Sequence, residues 1–153
     1  MIREAVIDDW EQISDYMLEL QNMHAEAYPE IFKYGVRRNR DYFIKTLANQ
    51  KKKIFVSEEQ KIIQGYVKGK IIYTEDCEVK FSRRYGYMDS VYVAEKFRGR
   101  LIEQKLFARL FQWFRENGIT EAEGAVWEFN KKARKVFELM GSETYQRKQI
   151  IKL

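Results

Sequence analysis

The chain has 153 residues, 45% of them hydrophobic and 15% aromatic, which suits one folded domain and excludes a disordered chain. One proline, eight glycines and no apolar run near ~18 residues leave neither a low-complexity linker nor a membrane span to read. A net charge of +5 is compatible with a polyanionic partner, and equally with a pocket for one highly phosphorylated ligand.

Residues 2–6, IREAV, read as a short opening strand. The segment MIREAVIDDW is acidic and lacks a signal-peptide core, and the single cysteine, Cys77, fits a reducing compartment, so the expected location is cytoplasmic. Asp8 or Asp9 is placed to cap a helix whose apolar face is Trp10, Ile13, Met17 and Leu20. A loop with the only proline, residues 28–39, leads to a second helix over 42–48. Residues 53–57 predict a strand and 58–61 a turn. Ile63, Gly65, Val67, Gly69, Ile71 and Tyr73 then alternate along one long strand. After a hairpin connection, residues 85–93 predict a strand with Tyr87, Asp89, Val91 and Val93 on one face.

The stretch KFRGRLIEQKLFARLFQWF, residues 96–114, opens on a basic turn and continues as a helix with Ile102, Leu106, Leu110, Trp113 and Phe114 in a stripe. Gly118 lies where such a helix stops. Residues 121–127 predict a strand. Asn130 caps a short helix with Ala133, Val136, Phe137 and Met140 inward, Gly141 ends it, and residues 144–153 predict a closing strand. The whole of 1–153 is expected to be one α/β (α+β) domain with a mixed, mostly antiparallel sheet flanked by helices. The strand–helix–strand unit from 85 to 127 predicts parallel neighbours.

A strand that runs through a basic turn into a helix start is an anion site in the making, because the first N–H groups of a helix are unpaired. Lys96, Arg98, Arg100 and Lys105 add positive charge, against Glu95 and Glu103. A lone turn of this kind is also compatible with solvated side chains around a helix start. With one histidine, His24, and one cysteine, neither a Ser-His-Asp arrangement nor a His-rich metal site is expected, and no metal is assigned. No helix-turn-helix, zinc or aromatic-sheet signature accompanies the charge, which argues against a nucleic-acid partner.

The segments VYVAEKFRGRLIEQKLF (91–107) and NKKARKVFELMG (130–141), in this order of elements, resemble the GNAT superfamily of N-acetyltransferases over nearly the whole chain. The resemblance implies a GNAT-like sheet whose strands 85–93 and 121–127 splay at their C-terminal ends. It also implies acetyl-CoA as co-substrate, and a small-molecule or peptide amine as acceptor. The family pattern Q/R-x-x-G-x-G/A falls on Arg98, Gly99, Arg100, Leu101, Ile102, Glu103, with Gln104 following, and implies that their amides hold the pyrophosphate. Val91, Tyr92 and Val93 would pair with the pantetheine arm through the backbone. Asn130 and Phe137 fall on the second motif, with Ala133 and Gly141. Asp89 and Glu128 are the candidate proton acceptors for the amine, with Tyr87 beside Asp89. Lys131, Lys132, Arg134 and Lys135 form either a solvated face or a contact for the 3′-phosphate.

Leu101 and Glu103 stand where the family has Gly and Gly/Ala, Phe137 where it often has a tyrosine that serves the departing thiolate, and Ser142 where it has phenylalanine. Leucine costs nothing at 101 if its φ/ψ are right-handed helical, whereas Glu103 brings a like charge towards a pyrophosphate. Two functions therefore stand beside each other: an N-acetyltransferase, or a non-catalytic relative that binds a CoA species or a protein. The acceptor is open, since GVRRNR (35–40) favours an acidic molecule and EDCE (75–78) a cationic one. The oligomeric state is open too, a homodimer among the options.

Overall fold

The computed structural model describes all 153 residues. Strands β1 (Ile2–Glu4), β2 (Lys52–Glu59), β3 (Ile62–Thr74), β4 (Arg83–Val93) and β5 (Ala122–Gly124) form one sheet in the order β1-β2-β3-β4-β5. The first four are mutually antiparallel. β5 runs parallel to β4, pairing Gly86 with Ala122, Tyr87 with Glu123 and Met88 with Gly124. A parallel pair needs a crossover, and α3 (Ile102–Glu116) supplies it. Helices α1 (Trp10–Ala27) and α2 (Arg40–Ala48) cover the opposite face, and α4 (Lys131–Leu139) follows β5. No helix is long and apolar enough to cross a membrane.

Period-2 strands between period-3.6 helices give two apolar layers. Leu106, Leu110 and Phe114 of α3 pack with Phe55, Val67 and Ile71, while Ile13 and Phe43 pack with Ile54, Val56 and Tyr66 on the other face. Burying each such large side chain is worth roughly 1.5–3 kcal/mol. α3 lies close to the sheet because two glycines make room: a Cβ at Gly69 would sit 2.6 Å from Leu110 Cδ1, and one at Gly86 2.7 Å from the Phe114 ring. The opening strand is locked to α1 by Arg3, which donates to Asp9 at 2.7 and 2.8 Å and to Glu58 at 2.6 Å.

Five sequence expectations change. Asp9 does not cap α1; its carboxylate accepts from the Val6 N–H upstream and grips Arg3. Gln64 is an extra residue opposite the Ser57–Glu58 step, so Ile63 turns to the α1/α2 layer while Val67 and Ile71 face α3. A second bulge, at Asp89, breaks the single face expected for Tyr87, Asp89, Val91 and Val93. The strand expected over 121–127 is only Ala122–Gly124. Residues 144–153 are not a closing strand: they are exposed and take no helical or strand structure. Their alternation is strand-like, but no neighbouring backbone in the chain pairs with it.

Candidate active site

β4 carries one residue more than β3 across the second bulge: Lys68 pairs with Ser90 and Gly69 with Met88, leaving Asp89 unpaired between them. A bulge re-aims the side chains beyond it. Met88, Val91 and Val93 pack in the α3 layer, while Asp89 and Ser90 both look into the α1/α2 side. Met88 is also the last residue of β4 that pairs with β5. The gap between the two strands therefore opens at the bulge and runs along Ser90–Val93.

On the α1/α2 side lies a cleft of about 600 Å³. Its floor is Tyr66, Lys68, Asp89 and Ser90, and its rim includes His24, Phe32, Arg38, Tyr42 and Trp127. Lys68 Nζ sits 2.8 Å from Asp89 Oδ2 and donates to the Tyr42 hydroxyl at 2.7 Å. Burial alone would lower the Lys68 pKa, but Asp89 and Tyr42 outweigh it and hold the ammonium above its ordinary range. Lys68 is thus held as an ammonium against Asp89, whose Oδ1 accepts from no group of the chain. Burial pushes the Tyr66 phenol far up, opposed in part by the Ser90 side chain, so it stays a neutral hydroxyl. Tyr92, further along β4, is pushed up to about 12 by burial and then by its hydrogen bond to Glu19.

An aromatic wall closes one end of the cleft. Trp127, just past β5, stands 5.0 Å from both Tyr28 and Phe32, and His24 stands 5.2 Å from Phe32 and 5.6 Å from Phe129. His24 Nδ1 lies 2.7 Å from the Leu20 carbonyl, which fixes the ring. None of these residues was singled out from sequence except His24. The sequence signal for Lys68 is weak: it is one of two lysines, with Lys70, in a largely apolar alternating strand.

At the other end of the gap, a single 3-10 turn over Glu95–Phe97 leads into the basic loop. Gly99 has φ +79°, with nothing within 4 Å of a would-be Cβ. Leu101 has φ 58° and ψ 19°, the left-handed region, and not the right-handed geometry that would cost leucine nothing. Glycine suits this position for that reason, and leucine carries roughly 1–2 kcal/mol of strain there. The N–H groups of Gly99, Arg100, Leu101, Ile102, Glu103 and Gln104 find no acceptor in the chain. Arg98 is folded back, donating Nε–H to the Val93 carbonyl at 3.1 Å. Arg100 extends over Phe97, its guanidinium 5.7 Å from the ring centre. Lys96, Arg98, Arg100, Glu103 and Lys105 make no ion pair.

From this loop a groove of about 360 Å³ runs between α3 and α4. Glu103 and Gln104 lie at its polar end, and Phe107, Phe111, Val136 and Leu139 along its walls. Asn130 caps α4, its Oδ1 accepting from Ala133 N–H at 3.0 Å. Phe137 lays its ring against Gly124, beside Met88, where the strands part. Glu128 is not brought to the cleft; it is largely exposed and pairs with Arg134 at 3.0 Å. Lys135 pairs with Glu138 at 3.7 Å. Of GVRRNR, Arg38 lines the cleft while Arg37 binds Asp15 and covers Trp10. Glu75 and Glu78 are exposed in the β3–β4 connection.

The β4–β5 pairing thus ends beside a run of free amides, with the crossover helix α3 beneath it. The sequence profile of the acetyltransferase (GNAT) family matches residues 17–141, and the chain belongs to that family. Among solved structures, a tetramutant of the BH1408 protein from Bacillus halodurans superposes with a TM-score of 0.93 at 20% identity, covering 100% of this chain and 99% of that one. An aminoglycoside N-acetyltransferase, AAC(6')-Iy in complex with CoA, superposes at 0.76 with 16% identity, covering 100% and 98%. A ribosomal-protein-alanine N-acetyltransferase from Brucella melitensis biovar Abortus 2308 does so at 0.70, again with 16% identity, covering 100% and 99%. At these identities the likeness fixes the fold. A search of curated sequences returned no significant match.

Proposed function

We propose that the protein is an acetyl-CoA-dependent N-acetyltransferase acting on a primary amine of a small-molecule or peptide acceptor. The observation that carries this reading is the β4–β5 gap, bounded by six free N–H groups at one end and by the Asp89 bulge at the other. The residues fit acetyl-CoA. A doubly charged pyrophosphate is what a concave run of amides at a helix start accommodates, and no side chain crowds Gly99. The groove between α3 and α4 supplies apolar walls for the nucleotide end. The CoA held by a structural neighbour of the same fold supports the choice.

When bound, acetyl-CoA supplies an acyl group already activated as a thioester. The chain's own part is orientation and proton handling. Beyond Met88 the β4 backbone has no β5 partner and is suited to hold an extended arm in the gap, with the Val93 carbonyl already taken by Arg98. Asp89 offers one uncommitted carboxylate oxygen to the incoming ammonium, while Lys68 holds the other at 2.8 Å. An amine near pKa 10 must lose a proton before it attacks, and a carboxylate near 4 takes it best through water. The aromatic wall around Trp127 assists by drying the amine and so weakening its hold on that proton.

Two residues favour a second reading, a silent relative that binds a CoA species. Glu103 is unpaired beside the free amides, and Phe137 has no proton for a thiolate. Calorimetric titration with acetyl-CoA, followed by a thiol-release assay over a panel of amines, separates the readings. Binding with thiol release is expected. Binding without release for any amine favours the silent relative, and no binding at millimolar acetyl-CoA defeats both.

A further inference from the structure

The sequence offers two opposed hints about the acceptor, GVRRNR (35–40) towards an acid and EDCE (75–78) towards a cation. The fold separates them. None of Glu75, Asp76 and Glu78 lines the cleft, whereas Arg38 does. The backbone there is fixed: the Arg38 carbonyl accepts from the hydroxyl of the fully buried Ser14 at 2.5 Å, and Asn39 next to it caps α2 through the Tyr42 N–H. Two successive arginines then differ. Arg37 donates to Asp15 at 2.9 Å and covers Trp10, while the Arg38 guanidinium has no hydrogen bond and no ion pair in the chain. It lies 5.0 Å from the centre of the Tyr42 ring.

The floor of the cleft meets the same ring. Lys68 Nζ stands 5.4 Å from its centre and 2.8 Å from Asp89 Oδ2. An ammonium on Asp89 and an anion on Arg38 are thus separated by one lysine head and one phenol ring, which a small molecule spans. Charge disfavours a polycation. The charged side chains that line the cleft are Lys33, Arg38, Lys68 and Asp89, three cations against one carboxylate. On α1, Asp15 is held by Arg37 and Glu19 by the Tyr92 hydroxyl, and neither lines the cleft. A second ammonium on the acceptor therefore meets no partner. The rest of the wall, with Leu20, Phe32, Val36 and Trp127, is apolar.

We infer that the acceptor is a small amino acid in the broad sense: a primary amine that also carries a carboxylate, on an apolar or aromatic body. The inference rests on the acetyltransferase reading above and narrows it. Asp89 takes the ammonium end, and Arg38 presents a planar fork to the carboxylate. The body lies against Phe32 and Trp127. The product is the N-acetylated acid, with the CoA thiol and one proton released.

The test compares amines in pairs that differ only in the carboxylate: phenylalanine against phenethylamine, and para-(aminomethyl)benzoate against benzylamine, with spermidine as the polycation. In the thiol-release assay the acid of at least one pair is expected to exceed its partner about tenfold in kcat/KM, with spermidine below both. Arg38→Gln should abolish that preference by raising KM for the acid about tenfold. Arg38→Lys, which keeps the charge and loses the fork, should recover part of it. An acetyl-CoA affinity like that of the wild type in both variants separates a lost contact from a lost fold. Turnover in which no acid is preferred, or a preference untouched by Arg38→Gln, overturns the inference and leaves the acetyltransferase reading standing. If no amine releases thiol, calorimetric titration of the acids into the CoA-bound protein decides. Arg38-dependent binding then upholds the acceptor class while the catalytic reading fails, and no binding overturns the class as well.

Discussion

All 28 buried residues lie between Ala5 and Ile119, while the 34 residues from Thr120 onward bury none. The first region is closed on both faces by helices and is glued by two apolar clusters. The second, comprising β5, α4 and the tail, rests on the first with half-buried contacts such as Val136 and Met140 against the α3 layer. The difference is instructive because the second region borders every site identified above: the gap, the α3–α4 groove and, through Trp127, the cleft. A protein keeps its low-stability parts where ligands and partners complete them.

The largest expected effect breaks the comparison if it fails. Leu110→Ala, at the centre of the α3 layer, should cost about 3–4 kcal/mol in chemical denaturation, and Leu139→Ala, exposed on α4, within about 0.5 kcal/mol. Equal costs would mean that the two regions do not differ as described. Next, Asp89→Asn should lower kcat about 100-fold while leaving acetyl-CoA affinity within twofold, measured by thiol release and calorimetry. A variant as active as wild type removes Asp89 from proton handling.

Acid titration sharpens the contrast. Burial would raise the Asp9 carboxyl, but the Arg3 hydrogen bond and charge outweigh it and hold the pKa below its ordinary value. A lowered folded pKa gives stability that is complete above the unfolded value near 4 and is lost as pH falls through the folded value. Stability measured against pH should therefore drop below about pH 4, and Asp9→Asn should flatten that limb. Glu138→Gln, at an exposed pair on α4, should leave it unchanged.

The smallest effect is at the loop. Leu101→Gly removes a left-handed leucine at some cost in unfolded-state entropy, so the gain should be about 1 kcal/mol, or 2–4 °C in melting temperature. A fall in melting temperature would contradict the strain. Combined with Glu103→Gly, the change should tighten acetyl-CoA binding by an amount that shrinks with added salt.

The helices were legible because their stripes bury: Ile102, Leu106, Leu110, Trp113 and Phe114 announce α3 by spacing alone. So was the parallel β4–β5 pair, since a crossover helix permits little else. Asp89 could be named as a candidate, but its direction could not, because alternation assumes an unbroken period and the bulge inserts a residue. The strain at Leu101 was hidden since leucine gives no sign of a left-handed position that glycine would advertise. The pairing of Lys68 with Asp89 and Tyr42 joins three elements distant in sequence, and no local pattern carries it. The tail read as a strand because its pattern is local. Its solitude is a property of the fold.

Hydrogen exchange of the wild-type chain with and without saturating acetyl-CoA tests the central claim most directly. The amides of Gly99–Gln104, which have no acceptor in the chain, should slow markedly on binding, with a smaller change in α4 and none in the β2–β3 hairpin. Exchange at Gly99–Gln104 that stays the same while acetyl-CoA is bound would contradict the account, because the ligand would then be held somewhere other than this loop.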